Sequence, residues 1–280
     1  MRVLTIGATG QYAGLVVPAL VSKGLSVRAL VHDPGRAGQL ADAGVDETVA
    51  GDLRDPDGMR VALDGVEGVF LIIPAFAPDT AELGTALVMA AQAAGVRRVV
   101  FSGVYHPSLS LVNHASTRPI EESLFQSGLE FTVLQPAMFM QGLAGGWVST
   151  ADRGVFAMPY SKDSTMSFVD YRDVAEVAAI AFASDDLVNG TFELAAGGTI
   201  SRTELAALMS RYAGREVAAV DIDPAAALAG MPAGFERDGL AAMFSDYTAH
   251  GLHGGNNLVL RSILGRIPRS LDDFFAELAR

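Results

Sequence analysis

Residues 1–14 read MRVLTIGATGQYAG, and the fold turns on them. The run Arg2–Ile6 is apolar and β-branched, the pattern of a buried strand. Gly7-Ala8-Thr9-Gly10-Gln11-Tyr12-Ala13-Gly14 follows at once, and a helical pattern extends over Tyr12–Lys23. A glycine loop between a strand and a helix is the context in which such a loop holds a dinucleotide. Gly7 permits the tight turn, Gly10 lets the backbone approach a pyrophosphate, and Ala13 and Gly14 let the helix pack closely on the sheet. The helix start then offers N–H groups and a partial positive charge to the phosphates. Gly7, Thr9, Gly10, Gln11 and Tyr12 are therefore the first candidate cofactor contacts.

Outward from this loop the strand–helix rhythm repeats. Strands are expected at Arg2–Ile6, Val27–Val31, Glu47–Ala50, Gly68–Ile73, Arg98–Ser102 and Glu130–Leu134. Helices are expected near Tyr12–Lys23, Gly35–Ala43, Pro56–Leu63, Asp79–Ala94 and Arg118–Ser127. Near-continuous apolar strands such as VLTI and VFLII suit a parallel sheet covered on both faces. The predicted fold is α/β, a Rossmann-like doubly wound parallel sheet. After residue 135 the pattern becomes Gly- and Met-rich (PAMFMQGLAGGW) before a helix near Asp170, a strand TFELAA, a helix from about Ser201, a strand EVAAVDI and a helical tail. The expected division is a dinucleotide-binding core over 1–150 and a smaller, irregular C-terminal substrate-binding lobe over 151–280, with 167–184 returning to the core.

Composition limits the partners. The 280 residues are 50% hydrophobic and 19% charged, enough apolar content for a sizeable core. The net charge of -12 and a pI of about 4.8 argue against nucleic acid as a direct ligand. With no cysteine there is no disulfide or thiolate chemistry. The first strand starts almost at Met1, leaving no room for a signal peptide, and no apolar run reaches the ~20 residues of a membrane span. A soluble, cytoplasmic protein is expected.

The segment after the second strand selects the cofactor. Dinucleotide folds read the adenosine ribose roughly 20 residues beyond the glycines. Here that segment is Val31-His32-Asp33-Pro34-Gly35-Arg36. A carboxylate would accept from a 2′-hydroxyl and favour NAD(H), whereas basic groups would favour a 2′-phosphate. Asp33-Pro34 has the form of a helix cap, which leaves His32 and Arg36 for the phosphate. NADP(H) is expected, with NAD(H) as the alternative. Asp52, followed by Leu53, is placed to accept from the adenine amino group, or else caps a turn. Ile73-Pro74 ends the fourth strand, where the backbone would pass the adenosine ribose and nicotinamide side, and Ser102 ends the fifth, under the nicotinamide.

These residues together resemble the NmrA-like branch of the short-chain dehydrogenase/reductase superfamily, an atypical NAD(P)-binding branch. The matching stretches are GATGQYAG, VRALVHDPGRA, AGDLRDP, ALDGVEGVFLIIP, AAGVRRVVFSG, IEESLFQSGLEFTVLQPAMFMQ and FVDYRDVAEVAA, in family order, with LGRIPRSLDDFFAEL at the end. The resemblance implies a Rossmann-like core, NADP(H) preference, and either reduction of quinones or related acceptors or a regulatory role as a nucleotide sensor. Within the matched stretches Pro136 and Phe139 complete the candidate cofactor contacts. Two departures stand out. His32 occupies a place where relatives commonly carry Arg, and Ser116-Thr117-Arg118-Pro119 lacks the lysine that holds the nicotinamide ribose. Thr117 lies near that place, and Arg118 is not equivalent to Lys at a shaped site.

The Tyr-x-x-x-Lys dyad, in which an ammonium lowers a tyrosine pKa, is absent. The residues four positions after Tyr12, Tyr105, Tyr160, Tyr171, Tyr212 and Tyr247 are Val16, Leu109, Ser164, Ala175, Glu216 and Gly251. Hydride transfer to a conjugated acceptor asks less of the protein, because the cofactor carries the chemistry. Tyr105 and His106 are the candidate catalytic residues, with His114 beside them. Met138, Phe139, Met140 and Trp147 either line an apolar pocket or pack the core. Asp170, Arg172 and Asp173 read as a cap and first-turn charges, and His250, His253 and Asp246 show no metal-ligand spacing. Two functions fit: an NAD(P)H-dependent reductase of a small apolar acceptor, or a non-catalytic NADP(H)-sensing regulator acting through a protein partner. A homodimer is compatible with either. If His32 meets the 2′-phosphate, its protonated form binds better, so NADPH affinity should weaken from about pH 6 to about pH 8. Titrations that stay flat over that range would exclude His32 as a charged contact.

Overall fold

The computed structural model describes residues 1–280. Its first half realises the alternation read in the sequence: β1 (Arg2–Thr5), a 3-10 turn (Ala13–Leu15) leading into α1 (Val16–Ser22), β2 (Ser26–Val31), a 3-10 segment (Pro34–Ala43), β3 (Glu47–Ala50), α2 (Pro56–Leu63), β4 (Gly68–Leu71), α3 (Thr80–Ala93), β5 (Arg98–Ser102), α4 (Val112–Ala115), α5 (Arg118–Ser127) and β6 (Glu130–Pro136). There follow β7 (Met138–Phe139), α6 (Gln141–Arg153), β8 (Val155–Met158), β9 (Thr165–Met166), β10 (Phe168–Val169), α7 (Tyr171–Ala183), β11 (Gly190–Leu194) and β12 (Ile200–Ser201). The chain ends with α8 (Arg202–Ala213), β13 (Ala218–Asp221), α9 (Pro224–Ala227), α10 (Phe235–His250), α11 (Leu258–Leu264) and α12 (Leu271–Leu278).

Two compact units form. One contains Met1–Ala75, Asp79–Pro136 and Tyr171–Glu193; the other contains Phe76–Pro78, Ala137–Asp170 and Leu194–Arg280. In the first, seven strands make one sheet in the order β11-β6-β5-β4-β1-β2-β3. β1 pairs in parallel with both β2 and β4, so the strand order reverses beside β1. That reversal is the switch point at which open α/β sheets bind ligands, beyond the carboxyl ends of the strands.

Both faces of the sheet are covered, which is why its strands read as continuous apolar runs. On one face Leu4, Leu30, Val69, Leu71, Val99 and Phe101 pack in one buried cluster with Leu63, Leu87, Ile120 and Leu124 of the helices. The alternate residues Val3, Val27, Ala29, Phe70 and Val100 are equally buried, as side chains on the opposite face of a pleated strand must be. α7 and α1 pack against each other there, and α7 also lies on β5. Phe182 of α7 closes over Gly68, where a Cβ would stand 2.8 Å from its ring.

Arg98, the first residue of β5, is fully buried. Its guanidinium donates to the carbonyls of Ala181 and Ser184, each at 2.6 Å, and to the carboxylates of Glu130 and Asp185 at 2.6 and 2.5 Å. A buried charge persists only when its donors are satisfied in this way. The arrangement ties the C-terminal end of α7 to the start of β5.

Three elements differ from the sequence reading. β4 stops at Leu71 rather than Ile73, short of Pro74, which has no N–H to give to a ladder. The segment after β2 is 3-10 rather than α, in a sequence carrying Gly35 and Gly38 and burying only Leu40. Gln141–Arg153, expected to be irregular, is a 13-residue helix. Its glycines disfavour helix locally, but Trp147 and Thr150 are buried, and Trp147 packs 5.3 Å from Phe275. Tertiary packing overrides propensity here. The rest of the second unit holds three two-stranded pairs, β10-β7, β12-β9 and β13-β8. Arg202, fully buried, donates to the carbonyls of Tyr160 and Val220 and pairs with Asp221.

A Cβ at Gly145 or Gly146 would meet nothing within 4 Å, and both are exposed mid-helix. Gly145→Ala is therefore expected to raise stability by about 1 kcal/mol in denaturant melts. No gain would mean that the helix is not formed at this position.

Candidate functional site

The glycine loop after β1 is built by backbone. Gly7 takes φ +70°, a conformation that side chains resist, and turns the chain off β1. Gly10 N–H then donates to Gly7 O at 2.7 Å and Gly14 N–H to Gly10 O at 3.0 Å. A Cβ at Gly10 would lie 3.0 Å from Gly7 O, and one at Gly14 would lie 3.1 Å from Ala8 O. Both positions accept only glycine without displacing the loop. No side chain caps the helix that follows.

The residues expected to read the far end of a nucleotide approach this loop. Arg36 reaches back from the segment after β2, and its Nη2 donates to Thr9 O at 2.6 Å. Asp33 is the cap of its own 3-10 segment: its Oδ1 accepts from Gly35 N–H at 2.8 Å. His32 is 79% exposed, with Nδ1 3.7 Å from an Asp52 carboxylate oxygen. Asp52 also accepts from Arg54 N–H at 2.9 Å, so it closes a turn of its own.

Arg54 was not among the residues singled out from sequence. It forms a two-pronged pair with Asp79, at 2.8 and 3.0 Å, joining the segment after β3 to the segment after β4. Hydrogen bonding and charge from Arg54 hold the Asp79 carboxyl below the usual carboxylate range. Only its position in space, 25 residues from its partner, reveals this pair. Leu53 and Ile73 are half-buried against the apolar core, and Pro74 O accepts from Thr80 Oγ1 at 2.7 Å.

Beyond β5 the chain is held by His114. Its ring is fully buried, and Nδ1 lies 2.7 Å from Tyr105 O and 3.2 Å from His106 O. Carbonyls accept, so Nδ1 carries the proton. Tyr105 N–H donates to Pro136 O at 3.0 Å, and the Tyr105 ring is buried edge-on to the His106 ring, 4.1 Å away. His106 adopts φ +54°, and its Nδ1 lies 3.5 Å from Glu193. Thr117 Oγ1 donates to His114 O at 2.8 Å, and Arg118 Nη2 to Leu109 O at 2.9 Å. Both side chains therefore secure the loop.

Ser102 ends β5, and its hydroxyl accepts from Tyr171 Oη at 3.0 Å. Tyr171 opens α7, is fully buried, and sets its ring 5.5 Å from that of Tyr12. Burial pushes the phenol far above its ordinary range, so it stays protonated and donates. The cap-and-charge pattern of Asp170, Arg172 and Asp173 does not reveal this contact, because Ser102 lies 69 positions away. In the second unit, Met140 and Trp147 are core residues, Met138 and Phe139 on β7 are half-buried, and Asp170 Oδ1 accepts from Gln141 Nε2 at 2.7 Å.

A parallel sheet reversing beside a glycine-turned strand–helix junction defines a dinucleotide-binding α/β protein. The chain belongs to the NmrA-like family, whose model matches residues 1–274. It is 33% identical over 229 residues to an NAD(P)H azoreductase from Xenophilus azovorans, covering 79% of this chain and 77% of that one. It is 26% identical over 278 residues to quinone oxidoreductase 2 from Escherichia coli strain K12, covering 97% and 96%. The solved structure of that NADPH-dependent enzyme with NADPH superposes with a TM-score of 0.83 over the full length of both chains, at 26% identity. The triphenylmethane reductase of Citrobacter sp., solved with NADP(H), shares the fold with a TM-score of 0.84 over 99% of this chain and all of that one, at 22% identity. No helix is long and apolar enough to cross a membrane.

Glu121 on α5 is mostly buried and accepts from Gln135 Nε2 at 3.0 Å. Desolvation raises its pKa above the ordinary value, against a smaller lowering by Gln135. A raised carboxyl stabilises the fold when protonated, and that contribution is lost as pH rises through the folded pKa. Glu121→Gln should therefore melt higher than the wild type at about pH 7, with the gap closing towards about pH 4. A gap that is absent, reversed or independent of pH would contradict this.

Proposed function

We propose that this chain is an NADPH-dependent oxidoreductase that transfers hydride to a small apolar acceptor of the quinone or azo type. The observation that carries the reading is the Arg36 guanidinium bound to the Thr9 carbonyl. It fixes a cation beside a glycine-turned loop that leads into a helix start with no side-chain cap. A pyrophosphate at the loop and a 2′-phosphate beside Arg36 and His32 match the chemistry of those donors. Full-length similarity to an NADPH-bound quinone oxidoreductase supports the same reading.

When bound, the reduced nicotinamide supplies the hydride. The chain's own residues bind and orient. The loop backbone and Arg36 hold the phosphates, and Asp52 and Leu53 with Ile73 and Pro74 border the adenosine side. Ser102 and Pro136 are assigned to the nicotinamide side. No tyrosine is followed four residues later by lysine, so no side-chain dyad drives alcohol–carbonyl exchange. Of the two acid candidates, His106 is 34% exposed and paired with Glu193, whereas Tyr105 is buried. His106 is therefore the better placed to pass a proton to a reduced acceptor, with solvent as the ultimate source.

The test is NADPH consumption with simple benzoquinones and azo dyes, measured beside NADH. Oxidation of NADPH that depends on the acceptor is expected. Binding of NADPH without turnover on either class would overturn the catalytic reading. Arg36→Ala should weaken NADPH by about tenfold to a hundredfold while changing NADH little. Equal losses for both nucleotides would remove Arg36 from the 2′-phosphate.

A further inference from the structure

Two parts of the nucleotide site in the first unit meet at one residue. The phosphate loop contributes Tyr12, and the end of β5 contributes Ser102. Neither is near the other in sequence, and each is touched by Tyr171. Ser102 uses its oxygen to accept from the phenol, so its own O–H is left to donate elsewhere. The phenol is enclosed and keeps its proton, so it is able to donate to Ser102 throughout the neutral range. The ring of Tyr171 lies tilted at 49° against Tyr12, directly before the helix that receives the phosphates.

Tyr171 is fully buried at the start of its helix. α7 lies on α1 and on β5. Its far end is fixed by the buried Arg98 through the Ala181 and Ser184 carbonyls. A rigid helix thus carries one side chain to two places that a dinucleotide would span.

We propose that Tyr171 is a positioning residue for the cofactor: its hydroxyl orients Ser102 and its ring supports Tyr12, so that both ends of the site are set before the nucleotide arrives. The inference rests on the reading that this cleft binds a nicotinamide nucleotide. Tyr171 does not touch the reacting atoms. It acts through Ser102 and Tyr12, and its loss is felt as lost preorganisation.

The test is a double-mutant cycle of Tyr171→Phe and Ser102→Ala, read by NADPH titration of the full chain. Tyr171→Phe keeps the ring and deletes the hydrogen bond. Each single variant should weaken NADPH by about fivefold, and the double variant no more than either single one. A purely structural tyrosine would lower the melting temperature and leave NADPH affinity alone. That result, or full additivity of the two changes, overturns the proposal. Should Tyr171→Phe not fold, Ser102→Ala decides: wild-type NADPH affinity in that variant also overturns it. If the wild-type protein binds no nicotinamide nucleotide, it is the functional reading that fails. If the wild type binds and the variants bind equally well, the role of Tyr171 fails alone.

Discussion

The anchoring of α7 along β5 is the constraint on which the first unit depends. Arg98 at the start of the strand holds the carbonyls at the end of the helix, and Ser102 at the end of the strand is held by Tyr171 at the start of the helix. Helix and strand therefore run in opposite directions with both ends fixed. The contact is long-range: Arg98 and Ala181 are 83 positions apart. Closing so large a loop carries an entropic cost that only buried, well-satisfied bonds offset. Because α7 also packs on α1, fixing α7 fixes the helix that begins at the phosphate loop.

From this frame the electrostatics of an acidic protein that holds an anion become clear. The net charge of -12 repels a nucleotide at long range. Binding must then come from local, preorganised donors. In the proposed site the loop supplies backbone N–H groups, and Arg36, bound to Thr9 O, supplies a fixed cation. The nearby carboxylates do not oppose the phosphate freely. Asp33 is engaged by Gly35 N–H, Asp52 by Arg54 N–H, and Asp79 by the Arg54 guanidinium. An Asp that caps its own turn is a poor competitor for a ribose hydroxyl, and this favours the phosphorylated cofactor.

Much of this was legible in sequence because the signals are local. The glycine loop, the buried strands and the Asp55-Pro56 helix start follow from neighbours within a few residues, and β3, α2, β5 and α5 fall where the pattern puts them. The doubly wound architecture follows from their alternation. Three features were not legible, for physical reasons. α6 is glycine-rich and helical only because Trp147 packs against Phe275, a partner far along the chain. The Arg54–Asp79 bridge joins two loops that meet only in the folded sheet. Tyr171 reads as an ordinary apolar helix position, and its partner Ser102 lies 69 positions away. His114 and Thr117, which sequence reading left between site and scaffold, are scaffold: they secure the backbone of Tyr105 and His106.

The most direct test of the central claim is calorimetric titration of the purified protein with NADPH, NADP+, NADH and NAD+ side by side. The account predicts that the phosphorylated pair binds more tightly than the other pair. Tighter binding of NADH and NAD+ would mean that Asp33 leaves its cap to read the ribose and that Arg36 does not meet a 2′-phosphate. Absence of heat with all four nucleotides, from a protein that melts cooperatively, would contradict the account.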